Sequence, residues 1–118
     1  MKVLIVDDNK NITVMLSTFL NSKGFETVVT NDPMEGLERI QQEQFDVILL
    51  DISMPEISGF NIIDILATEK ILKNQNIFIF SANSFQDIDI KNLLSRNGIN
   101  GYFKKPIQLS KLLTAITS

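Results

Sequence analysis

Short β-rich runs alternate with segments of helical spacing from one end of the chain to the other, and this alternation limits the possible folds more than any other feature. The β-rich runs cover residues 2–6, 25–29, 45–50, 76–80 and 100–103. The clearest of them are apolar at nearly every position, which indicates strands that are buried on both faces. A sheet of this kind needs a layer of helices on each side.

The intervening segments have the periodicity and the end signals of amphipathic helices. One apolar stripe consists of Ile12, Met15, Leu16, Phe19 and Leu20, and another consists of Leu109, Leu112, Leu113 and Ile116. A fourth helix is predicted over residues 86–97. The predicted N-caps are Asn9, Asp32 and Ser84, and helices are predicted to stop at Gly24 and Gly98.

Five β-α units with short connections predict an α/β fold of the flavodoxin-like (βα)5 type. Its doubly wound parallel sheet would have five strands in the order 2-1-3-4-5, in three α/β/α layers. A chain of 118 residues suits one domain over residues 1–118. The longest runs of large apolar side chains, which include 47–50 and 77–80, are four residues each, against the roughly 20 that cross a bilayer. We therefore expect a soluble domain without a membrane segment or signal peptide.

Two residue types are missing, and their absence excludes several kinds of chemistry. The chain has no Cys, so it has no disulfide, thiolate nucleophile or zinc-thiolate site. It has no His, so it lacks the usual general base and cannot itself be a phosphohistidine kinase or a His phosphotransfer protein. A net charge of −3 argues against unaided binding to nucleic acid. The lack of Cys favours a cytoplasmic location.

Polar and charged residues follow the predicted strands, where a doubly wound sheet binds its ligands. In strand order they are Asp7 and Asp8, Thr30 and Asn31, Asp51, Ser81, and Lys104 and Lys105. Strands one and three are predicted neighbours about 4.8 Å apart, so the three aspartates should share one crevice. At about 5 Å and an effective dielectric of about 20, each pair of carboxylates repels by about 3 kcal/mol.

A divalent cation would relieve this repulsion. A single Asp after a strand is common, but three that converge favour a Mg²⁺ site of carboxylate oxygens, a backbone carbonyl and water. With the hydroxyl of Ser81 and the ammonium of Lys105 across the crevice, the same residues could accept a phosphoryl group on an aspartate. The residues therefore fit the chemistry of an acyl phosphate.

Several short motifs, taken in order, resemble one protein family. They are the pair Asp7 and Asp8, the segment DISMPEISG with Asp51, Met54, Pro55 and Gly59, the pair Ser81 and Ala82, and the pair Lys105 and Pro106. Together they resemble the receiver domains of two-component response regulators, of the chemotaxis-regulator type. The resemblance covers essentially the whole chain and agrees with the predicted fold.

The resemblance implies a role for each matching residue. Asp51 would be the phosphoacceptor, and Mg²⁺, with Mn²⁺ as a substitute, would be held by Asp8, Asp51 and the backbone carbonyl of Ser53. Asp7 would act mainly through a metal-bound water. The remaining roles concern the phosphoryl group: Lys105 would pair with it after a cis bond to Pro106, Ser81 and Tyr102 would switch position, and Ser53 and Asn83 would adjust its lifetime.

The resemblance also implies a function. A sensor histidine kinase or a His phosphotransfer protein would supply the phosphoryl group, and the surface around the fourth helix, fifth strand and fifth helix would change shape. The chain would be a switch that catalyses only its own phosphorylation and dephosphorylation. We expect no effector domain, no direct contact with nucleic acid or membrane, an unidentified downstream protein, and a monomer, with a dimer as the alternative.

Two other functions use a similar arrangement of residues. A phosphohydrolase of the haloacid dehalogenase type also places a nucleophilic Asp after a strand, but it has a second Asp two residues later, where this chain has Ser53. A flavodoxin-like nucleotide or flavin module would bind phosphate through a Gly-rich loop. Here the corresponding loop reads DDNKN, and its carboxylates repel an uncomplexed phosphate.

Overall fold

The computed structural model describes residues 1–53, 59–81 and 87–117. Strands and helices alternate through these residues. The strands are β1 (Lys2–Val6), β2 (Glu26–Thr30), β3 (Val47–Asp51), β4 (Ile77–Ser81) and β5 (Ile99–Lys104). The helices are α1 (Lys10–Ser22), α2 (Pro33–Gln42), α3 (Gly59–Thr68), α4 (Asp87–Leu94) and α5 (Leu109–Thr117), with a 3-10 turn at Leu72–Asn74.

The strands form one parallel sheet in the order β2-β1-β3-β4-β5, which confirms the predicted topology. Most strand ends lie one residue beyond the predicted ones. Asp51 pairs with Phe80, and Ser81 pairs with Lys104, so these polar residues belong to the strands that were expected to precede them. Their backbones are thus held by the sheet while their side chains stand at its edge.

Each face of the sheet buries its own hydrophobic cluster, as the apolar strands predict. On one face Leu4, Val6, Ile48 and Leu50 pack against α2, α3 and α4. On the other face the alternate residues pack against α1 and α5, through Leu16, Leu20, Leu112 and Ile116. Burial of Val3 to Val6 in β1 and of every residue in β3 and β4 makes the middle of the sheet a rigid base for the residues at its carboxyl edge.

The predicted helix starts at Asn9 and Asp32 are confirmed by their capping hydrogen bonds. The side chain of Asn9 accepts from the backbone N–H of Asn11, and that of Asp32 accepts from Met34. Ser84 lies outside the described residues. The fourth helix ends at Leu94, before its predicted limit at residue 97. The N–H of Arg96 donates to the carbonyl oxygen of Leu93, three residues back, instead of to the residue four back as in an α-helix.

A close approach between α2 and β1 depends on Gly36. A β-carbon at this position would lie 2.8 Å from Cγ1 of Val6, too close for a real contact. The missing side chain lets the start of α2 lie directly against the end of β1. The loop after β2 is therefore held close to the residues that follow β1.

Helices α1 and α3 end in the same way but with different residues. After α1, Gly24 has φ +91°, and the N–H groups of Gly24 and Phe25 bond to carbonyls of the last turn. After α3, Lys70 has φ +62°, and the N–H groups of Lys70 and Ile71 bond to carbonyls of the last turn of α3 in the same pattern. A lysine in this left-handed conformation is strained where a glycine is not.

We expect Lys70→Gly to raise the free energy of unfolding by about 1 kcal/mol, since the relief of strain exceeds the entropy lost by a glycine. Urea denaturation measures the change. Lys70→Ala is the control, because it removes the same charge but keeps the β-carbon. Equal stability of the glycine and alanine variants would contradict the expected result.

Candidate functional site

Three carboxylates lie together at the carboxyl edge of the sheet. Asp7 and Asp8 follow β1 and Asp51 ends β3, and the pairing of Val6 with Leu50 places these strand ends side by side. One oxygen from each carboxylate lies within 4.8 Å of the others. Asp7 and Asp51 are buried, whereas Asp8 is exposed. Two of the three carboxylates are thus inside the protein, and the third is open to solvent.

The ammonium of Lys105 bridges the two buried carboxylates. Its Nζ lies 2.8 Å from Oδ2 of Asp7 and 3.2 Å from Oδ2 of Asp51, and the lysine side chain is only 13% exposed. The same Nζ is 5.2 Å from the centre of the Phe80 ring. Lys105 therefore offsets much of the repulsion between the carboxylates, a role that the sequence did not indicate.

A backbone hydrogen bond holds Lys105 at the site. Its N–H donates to the carbonyl oxygen of Ser81 at 2.9 Å, which ties the residue to the end of β4. The peptide bond that follows it, Lys105–Pro106, is cis. Lys104, its neighbour in the sequence, is exposed.

Burial and like charge perturb the acidic residues. Burial raises the pKa of Asp7, and the Asp51 charge adds to this, while Lys105 and the Asn9 N–H oppose it. Although Asp8 is exposed, partial desolvation of its carboxylate, followed by the neighbouring Asp7, raises the pKa of Asp8. Partial burial alone would lower the pKa of Lys105, but its contacts with Asp7 and Asp51 outweigh burial and raise it. Lys105 therefore stays charged.

The carboxylate oxygens suit a hard divalent cation. Oδ1 of Asp7 accepts from the Asn9 N–H at 2.9 Å, and Oδ1 of Asp51 accepts from the Ser53 N–H at 2.8 Å. Oδ2 of Asp7 is fully buried and, although it faces the Lys105 ammonium, accepts no well-directed hydrogen bond from the described residues. A buried anionic oxygen with spare acceptor capacity, beside two further carboxylates, fits Mg²⁺.

Two hydroxyl groups meet beside Asp51. Ser81 is fully buried at the end of β4, and its Oγ is hydrogen-bonded to the Oγ of Ser53. The sequence singled out both residues, Ser81 for a switch and Ser53 for phosphoryl lifetime, but not their direct contact. The sequence could not predict that contact, because 28 residues separate the two serines.

The remaining predicted site residues make no hydrogen bond or ion pair with the carboxylates among the described residues, or lie outside those residues. Tyr102 is half-buried against the α2-α3-α4 cluster, and no hydrogen bond or ion pair of the described residues joins it to the acidic group. Pro106 is exposed. The motif residues Met54, Pro55, Ala82 and Asn83 lie outside the described residues.

One residue at the site was noted in the sequence but given no role. The side-chain amide of Asn31 donates to the backbone carbonyl of Asp7 at 2.8 Å and to Oγ1 of Thr13 at 3.0 Å. Its position just after β2, beside the end of β1, was the only signal in the sequence. Neither the residue type nor the spacing shows which way the amide points.

Comparison with known proteins agrees with this geometry. The family model described as the response regulator receiver domain matches residues 3–117. The chain belongs to the response regulator receiver domain family. The receiver domain of Francisella response regulator 1452 has 31% sequence identity and a TM-score of 0.85, with 98% of this chain and 93% of that one covered.

Two curated relatives show how this receiver domain occurs in proteins of different length. Sporulation initiation phosphotransferase F of Bacillus subtilis is 27% identical over 115 residues, which is 98% of this chain and 90% of that protein. The CAI-1 autoinducer sensor kinase/phosphatase CqsS of Vibrio cholerae is 27% identical over 122 residues, 99% of this chain. The match spans only 17% of the length of CqsS.

Membership of the family establishes the general function. This chain is a receiver domain of two-component phosphorelay signal transduction. Receiver domains are signalling switches that bind Mg²⁺ through an acidic cluster and interact with sensor kinases and phosphotransfer proteins. None of the described helices is long and apolar enough to cross a membrane.

Proposed function

We propose that Asp51 accepts a phosphoryl group from a phosphohistidine of a partner protein. The observation that carries this proposal is the buried Asp51 carboxylate, 3.2 Å from the Lys105 ammonium and grouped with Asp7 and Asp8. A carboxylate oxygen of Asp51 would attack the phosphorus as the P–N bond breaks, and the imidazole would leave with the bonding electrons. Because these 118 residues contain no His, the phosphohistidine must lie outside them.

The same cluster would hold the metal that this transfer needs. Asp7, Asp8, Asp51 and the backbone carbonyl of Ser53 would hold Mg²⁺, with Mn²⁺ as a substitute, and Asp7 would act mainly through a metal-bound water. When bound, the cation supplies positive charge to the phosphoryl oxygens. Lys105 would contribute a second charge, because its ammonium already faces Asp51 and could pair with a phosphoryl oxygen there.

The hydrogen bond between Ser53 and Ser81 suggests how phosphorylation would change the shape of the domain. To reach a phosphoryl oxygen, Ser81 would exchange its bond to Ser53 for one to the phosphoryl group. Tyr102 would rotate inward behind it, and the α4-β5-α5 surface would shift toward its active form. Ser53 and Asn83 would adjust how long the acyl phosphate survives.

The proposed partners follow from this chemistry. The phosphodonor would be a sensor histidine kinase or a His phosphotransfer protein, and the reader of the α4-β5-α5 surface would be a separate downstream protein in the cytoplasm. That reader can shift the switch only by as much as its affinities for the two shapes differ. The domain would work as a monomer, with self-phosphorylation and self-dephosphorylation as its only catalysis.

A phosphohydrolase of the haloacid dehalogenase type remains the second candidate, because it too uses an Asp nucleophile and Mg²⁺. The residue two positions after Asp51 is Ser53, and the Ser53 hydroxyl is bonded to Ser81. That position therefore lacks the second carboxylic acid that would protonate a leaving group. Repeated turnover of a small phosphate ester that requires Asp51 would favour this candidate.

We expect the wild-type protein, incubated with acetyl phosphate and Mg²⁺, to gain the mass of one phosphoryl group, and Asp51→Asn to gain none. Prompt intact-mass spectrometry measures the gain. Asp64→Asn is the control, because Asp64 is an exposed carboxylate that is paired with Arg96. Equal labelling of wild type and Asp51→Asn would overturn the proposed acceptor.

A further inference from the structure

We propose that Asn31 is a positioning residue for the metal-binding carboxylates; this inference rests on the proposed function. Asn31 is half-buried in the loop that follows β2. Its Nδ2 donates to the carbonyl oxygen of Asp7 at 2.8 Å and to Oγ1 of Thr13 at 3.0 Å. Both amide hydrogens are therefore used, one on the acidic strand end and one on α1.

The peptide group held by Asn31 joins two of the proposed metal ligands. Its carbonyl belongs to Asp7 and its nitrogen to Asp8, so a rotation of this peptide would move both carboxylates. The N–H of Asp7 in turn donates to the carbonyl oxygen of Thr30 at 3.2 Å. The backbone of Asp7 is thus tied to the β2 end at both its N–H and its carbonyl.

The residues that hold Asn31 are themselves fixed. Thr30 is 2% exposed, and its hydroxyl donates to the Asp32 carbonyl oxygen at 3.0 Å and accepts from the Asp32 N–H at 3.2 Å. On the other side, the buried Thr13 hydroxyl donates to the Lys10 carbonyl oxygen at 3.1 Å. Asn31 therefore links the acidic strand end to two rigid supports.

This link matters most for Asp8. Asp8 is exposed, so packing does little to orient its carboxylate, and its direction depends on the backbone that Asn31 holds. Residues that hydrogen-bond to metal ligands and orient them typically lower metal affinity by about 10–100-fold when they are removed. A bond that only fastened α1 to β2 would change stability without changing affinity for the metal.

The test compares Mg²⁺ dissociation constants, measured by isothermal titration calorimetry, in wild type, Asn31→Leu and Asn21→Leu. Asn21 accepts a hydrogen bond from Thr27 at 2.9 Å, so the control also loses one side-chain bond between α1 and β2, but far from the carboxylates. We expect Asn31→Leu to bind Mg²⁺ about 10-fold more weakly or worse. Asn21→Leu should bind like wild type.

Equal Mg²⁺ affinity of Asn31→Leu and wild type overturns the role of Asn31. If wild type itself binds no Mg²⁺, the proposed function fails instead, so the two failures are distinct. If Asn31→Leu does not fold, Thr13→Val and Thr13→Ser decide. Thr13→Val removes the acceptor of Asn31 and should weaken Mg²⁺ binding, whereas Thr13→Ser keeps it; equal affinities of this pair would then overturn the inference.

Discussion

Replacement of Lys105 by methionine is expected to lower the free energy of unfolding of the metal-free protein by about 3 kcal/mol. Methionine has a similar length but no charge, so the buried Asp7 and Asp51 carboxylates would lose the ammonium that lies 2.8 and 3.2 Å from them. Removal of one partner from a buried ion pair leaves a buried charge uncompensated, and here two carboxylates are left to repel each other.

Urea denaturation in the presence of a chelator measures this loss. Lys104→Met is the matched control, because Lys104 is the neighbouring lysine and is exposed. The control should change the free energy of unfolding by less than about 0.5 kcal/mol.

The same variant should respond more strongly to Mg²⁺ than wild type, since the lysine and the metal both neutralise the same carboxylates. Mg²⁺ should therefore restore part of the stability that Lys105→Met loses. If Lys105→Met and Lys104→Met unfolded at the same urea concentration, the bridge between the buried carboxylates would not be a stabilising contact.

The parts of the structure that could be predicted from the sequence depend on local patterns. The apolar runs of β1, β3 and β4 predicted buried parallel strands, and the residues after them predicted a carboxylate cluster at one edge. The strand ends were placed one residue early at Asp51 and Ser81, because sequence pattern separates polar from apolar residues, whereas the hydrogen-bonded pairing of the sheet continues through both.

The parts that could not be predicted depend on side-chain directions across distant segments. The pairing of Lys105 with a phosphoryl group stays a prediction, whereas its contacts with Asp7 and Asp51 were not predicted. The bond between Ser53 and Ser81 and the amide contacts of Asn31 have the same origin. Each joins segments that are distant in the sequence, and no local periodicity predicts such a contact.

Asp8 is expected to reverse its effect on stability when Mg²⁺ is added. Without metal, Asp8→Ala should stabilise the protein by about 1 kcal/mol, because carboxylates within 4.8 Å of one another repel by about that amount even at the dielectric of water. The raised pKa of Asp8, caused by partial desolvation of its carboxylate and then by Asp7, agrees with this direction, since ionised Asp8 is disfavoured in the folded protein.

With Mg²⁺ at about 100 times its dissociation constant, the free energy of unfolding of wild type should rise by about 2.7 kcal/mol. That of Asp8→Ala, which lacks one metal ligand, should rise far less. The order of melting temperatures would then invert between chelator and Mg²⁺. Asp64→Ala, which removes an exposed carboxylate elsewhere, should change the melting temperature by the same amount in chelator and in Mg²⁺. A cation that binds there relieves the repulsion among the three carboxylates and so stabilises the folded protein. A wild-type melting temperature that does not change in millimolar Mg²⁺ would therefore contradict the metal site.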